Sequence, residues 1–311
     1  MRLLITGVNG QLGFDCVTEA LRRGHNAVGS DIQMDFSNDL PAGAAYVPMD
    51  ITDAAAVSEK IRAVFPDVII HCAAWTAVDA AEELENREKV FAVNTQGTRN
   101  IAEAAGSVNA KMIYISTDYV FNGRGEAPWM PDCREFSPLN VYGKSKLQGE
   151  LAVAEILEKY FIVRTSWVFG KNGNNFIKTM LRLGADHPSV RVVSDQIGTP
   201  TYTKDLSVLL LDMAETEKYG YYHASNAETA PGRYISWAEF AREIFRRAGL
   251  STEVIPIKTS EYGAAKAVRP LNSRLDKSKI GEAGFAPLPD WKNALSRYLR
   301  EIPDLPGDLH G

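Results

Sequence analysis

Short apolar runs alternate with helix-spaced patterns from the beginning of the chain. Residues 3–6, 27–31, 68–72 and 111–117 read as strands, and the stretches 12–23, 54–65 and about 82–105 between them carry helical periodicity. A helix over 142–158 and a strand over 161–168 continue the rhythm. Strands that are apolar on both faces and separated by helices are what a parallel sheet covered on both sides requires. The pattern therefore predicts an α/β fold with a doubly wound parallel sheet. The rhythm breaks in the Gly/Asn-rich stretch 170–175, where a boundary is expected, ahead of an apolar helix over 176–183. A strand over 190–195 and a helix over 203–215 are expected to return to the first unit. Ser236 and Glu239 are spaced as a capping box, in which each side chain satisfies a free backbone amide of the other, so a helix starts there. The tail 303–311 reads as frayed.

Composition narrows the class. With 311 residues, 45% apolar and 23% charged, the chain is long enough for two domains and too apolar to be disordered. Its 34 basic and 39 acidic residues leave a net charge of −5, with no run of like charges, so neither nucleic acid nor a membrane surface is an expected partner. Cys16, Cys72 and Cys133 are odd in number and widely spaced, which reads as buried thiols rather than a disulfide framework or metal knuckle. No apolar stretch approaches the ~20 residues needed to span a bilayer, and a strand begins almost at Met1. A cytoplasmic protein without a signal peptide is expected.

Three motifs carry chemistry. Gly7-Val8-Asn9-Gly10-Gln11-Leu12-Gly13 follows the first strand and opens the first helix. Glycines there permit a tight turn, a close approach by pyrophosphate and close helix packing, while the helix N-terminus offers free amides to the anion. This points to a Rossmann-type dinucleotide site. Asp31 ends the second strand, roughly ~20 residues on, where a carboxylate can bind a ribose 2′-hydroxyl. Such a carboxylate would repel a 2′-phosphate, but Arg22 and Arg23 lie nearby in sequence, and NADH or NADPH both remain open.

Tyr142 and Lys146 stand four apart at the start of a predicted helix, on one face. A free phenol has a pKa near ~10, and a neighbouring ammonium stabilises its phenolate, so the pair suits proton transfer to or from a carbonyl or alcohol. The third motif, Ser116-Thr117-Asp118-Tyr119-Val120-Phe121, ends an apolar strand in hydroxyls and a carboxylate. Carboxyl ends of parallel strands meet the ligand crevice, where Thr117 or Ser116 could hydrogen-bond a substrate carbonyl. His71 reads as a core strand residue, and His25, His187, His223 and His310 show no ligand spacing.

In this order the motifs resemble the extended short-chain dehydrogenase/reductase family. The segments His71 to Asp79, Ser116 to Phe121, Arg164-Thr165-Ser166-Trp167-Val168 and Arg269-Pro270-x-Asn272-Ser273-x-Leu275 narrow the likeness to its dTDP-4-dehydrorhamnose reductases, over nearly the whole chain. The resemblance implies NAD(P)H-dependent reduction of a C4 ketone on dTDP-4-dehydro-β-L-rhamnose. By position it makes Tyr142 the proton donor, Lys146 the holder of the nicotinamide ribose and tuner of Tyr142, and Thr117 the group that orients the carbonyl. It places Val78, Asp118, Tyr119 and Trp167 at the sugar nucleotide. Gly10, Gln11 and Leu12 would meet the pyrophosphate, Asp31 the adenosine ribose, Asp50 and Ile51 the adenine, and Ala74, Trp75 and Thr76 the middle of the cofactor, with Gly7, Asn9, Gly13 and Ala73 also counted as cofactor-binding.

A reduction needs a hydride donor and one proton donor, so a site without a His, Cys or metal cluster is sufficient. Related sugar-nucleotide dehydratases carry a Glu after the Thr-Asp pair, and Tyr119 stands there instead, which favours reduction over elimination. Some family members hold magnesium between subunits, and Asp15 lies in the first helix, yet no further ligands are evident and no metal is expected. The expected division is an NAD(P)-binding domain over 1–166 plus about 191–214, and a smaller α+β substrate-binding domain over about 167–190 plus 215–311, in a monomer or homodimer. Two other readings stay open. One is a reductase of another nucleotide-linked 4-keto-6-deoxy sugar, and the other a non-catalytic subunit resembling the regulatory subunit of methionine adenosyltransferase.

Overall fold

The structure is a computed structural model that describes residues 1–34, 41–263 and 265–302. The strands are β1 Arg2–Thr6, β2 Asn26–Ser30, β3 Ala45–Tyr46, β4 Val68–His71, β5 Lys111–Thr117, β6 Tyr160–Thr165, β7 Val168–Phe169, β8 Ser189–Val193, β9 Ile197–Gly198, β10 Thr201–Tyr202, β11 Gly220–His223, β12 Ile235–Ser236 and β13 Glu253–Ile257. The helices are α1 Gln11–Arg22, α2 Ala54–Val64, α3 Leu84–Phe91, α4 Thr98–Ser107, α5 Val141–Ile156, α6 Phe176–Asp186, α7 Thr203–Ala214, α8 Trp237–Arg247, α9 Thr259–Tyr262, α10 Ser278–Glu282 and α11 Trp291–Leu299.

Seven parallel strands form the main sheet in the order β11-β6-β5-β4-β1-β2-β3. Side chains alternate across a strand, so each central strand feeds two cores. Leu3, Ile5, Val68, Ile70 and Ile113 face the layer of α1 and α7, whereas Leu4, Ile69, Met112 and Tyr114 face the layer of α2, α4 and α5. The order reverses direction between β4 and β1, and ligands of such sheets bind at that switch point, outside the carboxyl ends of the strands.

A second core gathers α6, α8, α11 and the parallel pair of β8 and β13 around Phe169, Tyr202, Phe240, Trp291 and Tyr298. The expected return of 191–214 to the first unit divides in two. Helix α7 packs on α1, but β8 pairs with β13 and buries Val190 and Val192 in the second core. Conversely β11 joins the main sheet beside β6, because Tyr222 packs into the α7 layer. The expected tail 303–311 lies outside the described residues.

Two predicted elements are interrupted. The stretch expected as one helix over 82–105 is α3, a π-helical turn Ala92–Gly97 and then α4. The widened turn brings Asn94 inward, where its amide accepts the Trp75 N–H at 2.8 Å and donates to Ser145 Oγ at 2.9 Å. The strand expected over 161–168 breaks at Ser166 and Trp167, the latter at φ +50°.

Beneath the carboxyl ends of β6 and β11, Arg164 and Glu150 form a fully buried bidentate pair, with Nε to Oε1 at 2.8 Å and Nη2 to Oε2 at 2.7 Å. The guanidinium also donates to the Pro131 carbonyl and lies against the rings of Phe121 and Tyr221. Glu150 stands on α5, so the pair ties that helix to the sheet. Removing one partner of a buried pair leaves an uncompensated charge, which costs about 3–5 kcal/mol. Arg164→Met is expected to lose that amount in urea unfolding, and the double variant Arg164→Met/Glu150→Leu should recover much of it. Equal stability of Arg164→Met and the native chain would contradict this account.

Candidate active site

A cleft of about 680 Å³ opens along the carboxyl ends of β1, β4, β5 and β6. Its first wall is the glycine turn. Gly7 adopts φ +71°, and a Cβ there would lie 2.6 Å from the Ala73 nitrogen. A Cβ on Gly13 would collide with the Gly7 carbonyl, so that glycine sets how closely α1 approaches the turn. Gly10 differs: among the described residues outside its own helix and chain neighbours, its would-be Cβ meets the Gly7 oxygen at 3.1 Å, and the glycine lines the cleft. Among the described residues no side chain caps α1, and its first turn carries no acid. Free amides and absent side chains make a cradle that fits a pyrophosphate.

Asp31 borders this wall and accepts the Asn9 N–H at 3.0 Å and the Ile32 N–H at 2.8 Å. Arg22 and Arg23 point elsewhere, pairing with Glu19, Asp212 and Glu215. Asp50 and Ile51 line the far end beside Met49. Ala73, Ala74 and Thr76 border the middle, and the loop that carries them is anchored by the Ala73 N–H on Thr6 Oγ1 and by Asn94.

Two expected contacts fall outside the cleft lining. The Trp75 indole turns away, donating to the Ala77 carbonyl at 3.1 Å and packing with Val90 and Val141. Asn9 uses its backbone for Asp31 and its side chain for Gln33.

The chemistry converges at the start of α5. Asn140 caps the helix by accepting the Gly143 N–H at 2.8 Å, and Glu82 accepts the Val141 N–H at 2.7 Å. A Cβ on Gly143 would collide with the Tyr119 carbonyl, so only glycine lets α5 begin this close to the end of β5. Tyr142 therefore lines the same cleft as Thr117. Burial, and then the nearby Asp118, push the Tyr142 phenol well above its ordinary range, while the Thr117 hydroxyl pulls the other way. Tyr142 thus enters the cleft as a protonated acid, edge-on to Tyr119 at 5.7 Å.

One turn on, Lys146 is 3% exposed and its ammonium sits 4.1 Å over the Tyr114 ring. Burial lowers its pKa to about 7, against the opposing influence of Glu150 and Cys72. Asp118 accepts the Thr117 hydroxyl at 3.2 Å, yet its Oδ2 is buried without a partner, and burial raises its pKa to about 7. His71 is a neutral core residue held between Thr6 and Thr98, with burial and the Lys146 charge lowering its pKa to about 3. The expected residue His310 lies outside the described residues. Among the described residues no cluster of His, Cys, Asp or Glu is placed to hold a metal, and no helix is long and apolar enough to cross a membrane.

Val78, Thr117, Asp118, Tyr119, Tyr142 and Trp167 also line the cleft, with Trp237. Trp237 lies far along the sequence, and only its place after the Ser236 cap marks it in the chain. Asn94 was equally invisible, because its role rests on a widened helical turn. Gly173 and Asn174, which looked like a boundary loop, also line the cleft, and Asn174 accepts a hydrogen bond from Gln11.

The chain matches the RmlD substrate binding domain family over residues 1–303. It is 40% identical over 306 residues to the dTDP-4-dehydrorhamnose reductase of Aggregatibacter actinomycetemcomitans, covering 94% of this chain and 97% of that one. It is 36% identical over 300 residues to a spore coat polysaccharide biosynthesis protein of Bacillus subtilis, covering 96% and 97%. Among solved structures, the dTDP-4-dehydrorhamnose reductase of Bacillus anthracis in complex with NADP superposes with a TM-score of 0.87 at 40% identity, covering 97% and 99%.

The raised Asp118 pKa has a consequence for stability. The unfolded carboxyl ionises near 3.8 and the folded one near about 7, so the folded state holds its proton longer. Its relative advantage is complete below pH 3.8 and is lost as the pH climbs through about 7. Asp118→Asn should therefore be more stable than the native chain at pH 8, by roughly 1–3 kcal/mol, with the gap closing towards pH 4. Thermal unfolding across that range measures it, and a gap that widens on acidification would refute the assignment.

Proposed function

The chain belongs to the RmlD substrate binding domain family, and on that premise we propose that it reduces the C4 ketone of dTDP-4-dehydro-β-L-rhamnose to dTDP-L-rhamnose with NAD(P)H. The observation that carries this reading is a Tyr142 phenol kept protonated by burial and lining, together with Thr117, one cleft with an amide cradle suited to a pyrophosphate. When bound, NAD(P)H supplies the hydride that no side chain can provide. The glycine turn and the α1 amides hold the pyrophosphate, Asp31 the adenosine ribose, and Asp50 and Ile51 the adenine.

Thr117 donates its hydroxyl hydrogen to the C4 carbonyl and fixes its direction towards Tyr142. As a hydride adds to C4, the carbonyl π pair moves onto oxygen, and the Tyr142 O–H proton passes to that oxygen. The phenolate left on Tyr142 is stabilised by the positive form of Lys146, one helical turn away. Lys146 also binds the nicotinamide ribose. The sugar lies against Val78, Asp118, Tyr119 and Trp167, and the partnerless Asp118 Oδ2 is free to accept a sugar hydroxyl. Tyr119 in place of a carboxylate leaves no base for elimination at that point. A cytoplasmic protein, monomeric or homodimeric, is compatible with a reaction on a nucleotide sugar, with the main sheet and its helices as the cofactor unit.

Purified protein should oxidise NADPH or NADH when the dTDP-4-keto sugar is added and not in its absence. Comparing the two cofactors in that assay reads the preference left open by Asp31. Tyr142→Phe should bind cofactor as the native chain does and lose about 10²–10⁴-fold in kcat. Folded, cofactor-binding protein that leaves the keto sugar untouched would overturn the proposal.

A further inference from the structure

Trp167 has φ +50°, a left-handed conformation that L-residues with bulky side chains rarely adopt. Such a backbone persists only where its surroundings over-determine it. Backbone contacts account for part of this. The Trp167 carbonyl accepts the Thr201 N–H at 3.1 Å, Ser166 is fixed through its hydroxyl on the Thr199 carbonyl, and β7 pairs with β10 directly afterwards. These bonds hold the chain on either side without dictating where the indole goes.

The side chain is held by Trp237. The two indoles stack with centroids 3.8 Å apart and planes 16° from parallel, and Phe176 supports Trp237 from behind at 4.4 Å. Trp237 is itself rigidly mounted. It is the first residue of α8, and the reciprocal bonds between Ser236 and Glu239 fix the helix start at 2.8 and 3.1 Å. Strand β12, just before it, pairs with β9, and Gly198 of β9 lies against the Trp167 ring, since a Cβ there would sit 3.2 Å from Cε2. Both indoles line the cleft.

We infer that Trp237 is a positioning residue for the reaction: it holds Trp167 in the left-handed conformation, so that an already ordered indole meets the sugar nucleotide. This rests on the proposed substrate, since Trp167 is taken as a sugar-side contact. Without the stack, the Trp167 backbone relaxes towards ordinary conformers, and the binding-competent fraction falls. Left-handed strain in an L-residue corresponds to roughly a tenfold preference for the relaxed form, and apparent affinity falls by the same factor.

The test uses the full chain with cofactor. Trp237→Leu fills the space without a stacking face and should raise KM for the dTDP-4-keto sugar about tenfold, with kcat changed less than threefold or so and cofactor affinity unchanged. Trp237→Phe keeps a stacking ring and should restore KM to within about threefold of the native value. The exciton couplet that two stacked indoles give in far-ultraviolet circular dichroism should be present in the native protein and lost in both variants. A native KM in Trp237→Leu with the couplet lost would overturn the inference, as would a native protein lacking the couplet. A native protein that shows the couplet but leaves the keto sugar unreduced would instead overturn the substrate reading.

Discussion

The site depends on how closely α5 can lie against the ends of β5. A helix ordinarily keeps its side chains between itself and a sheet, and here two glycines remove them. A Cβ on Gly143 would strike the Tyr119 carbonyl, and one on Gly149 would lie 2.7 Å from the Asn94 carbonyl and also meet the Tyr114 hydroxyl. With that approach allowed, Tyr142 enters the cleft that Thr117 also lines, and Lys146 reaches the face of Tyr114. The Arg164 and Glu150 pair fastens the same helix further along, and Asn94 ties it to the loop that carries Ala73 and Ala74. Packing, rather than any one bond, thus sets the distance between acid and carbonyl.

Burial then sets the charges. Burial at the floor of the cleft disfavours the charged forms of Asp118, Tyr142 and Lys146 alike. A phenol kept protonated is what a proton donor requires, and a lysine near its midpoint is responsive to whatever negative charge arrives. The net charge of −5 offers no attraction to a dianionic pyrophosphate, so local amides must supply it. The glycine turn does so at one end of the cleft, leaving the other end to aromatic and hydroxyl groups.

Much of this was legible in the chain. The alternation of apolar strands and helices points to a covered parallel sheet, because helices between successive strands supply the crossovers that cover both faces. The glycine turn, Thr117, Asp118, Tyr142 and Lys146 stand at strand ends and helix starts, where local spacing decides their placement. Less legible were contacts between segments distant in sequence. Residues 190–195 looked like a returning sheet strand, but an apolar strand carries no label naming its neighbour, and a second core claimed it.

The sequence by itself determined the sheet, the cofactor turn and the acid with its neighbouring cation, since each is written in a local pattern a few residues long. Tertiary structure alone decided that Trp75 faces away from the cleft, that Asn94 leaves the regular helix to hold its loop, and that Trp237 stacks on Trp167. The reason is physical: a side chain's direction depends on which segments finally surround it, and that is settled only when the two cores have packed.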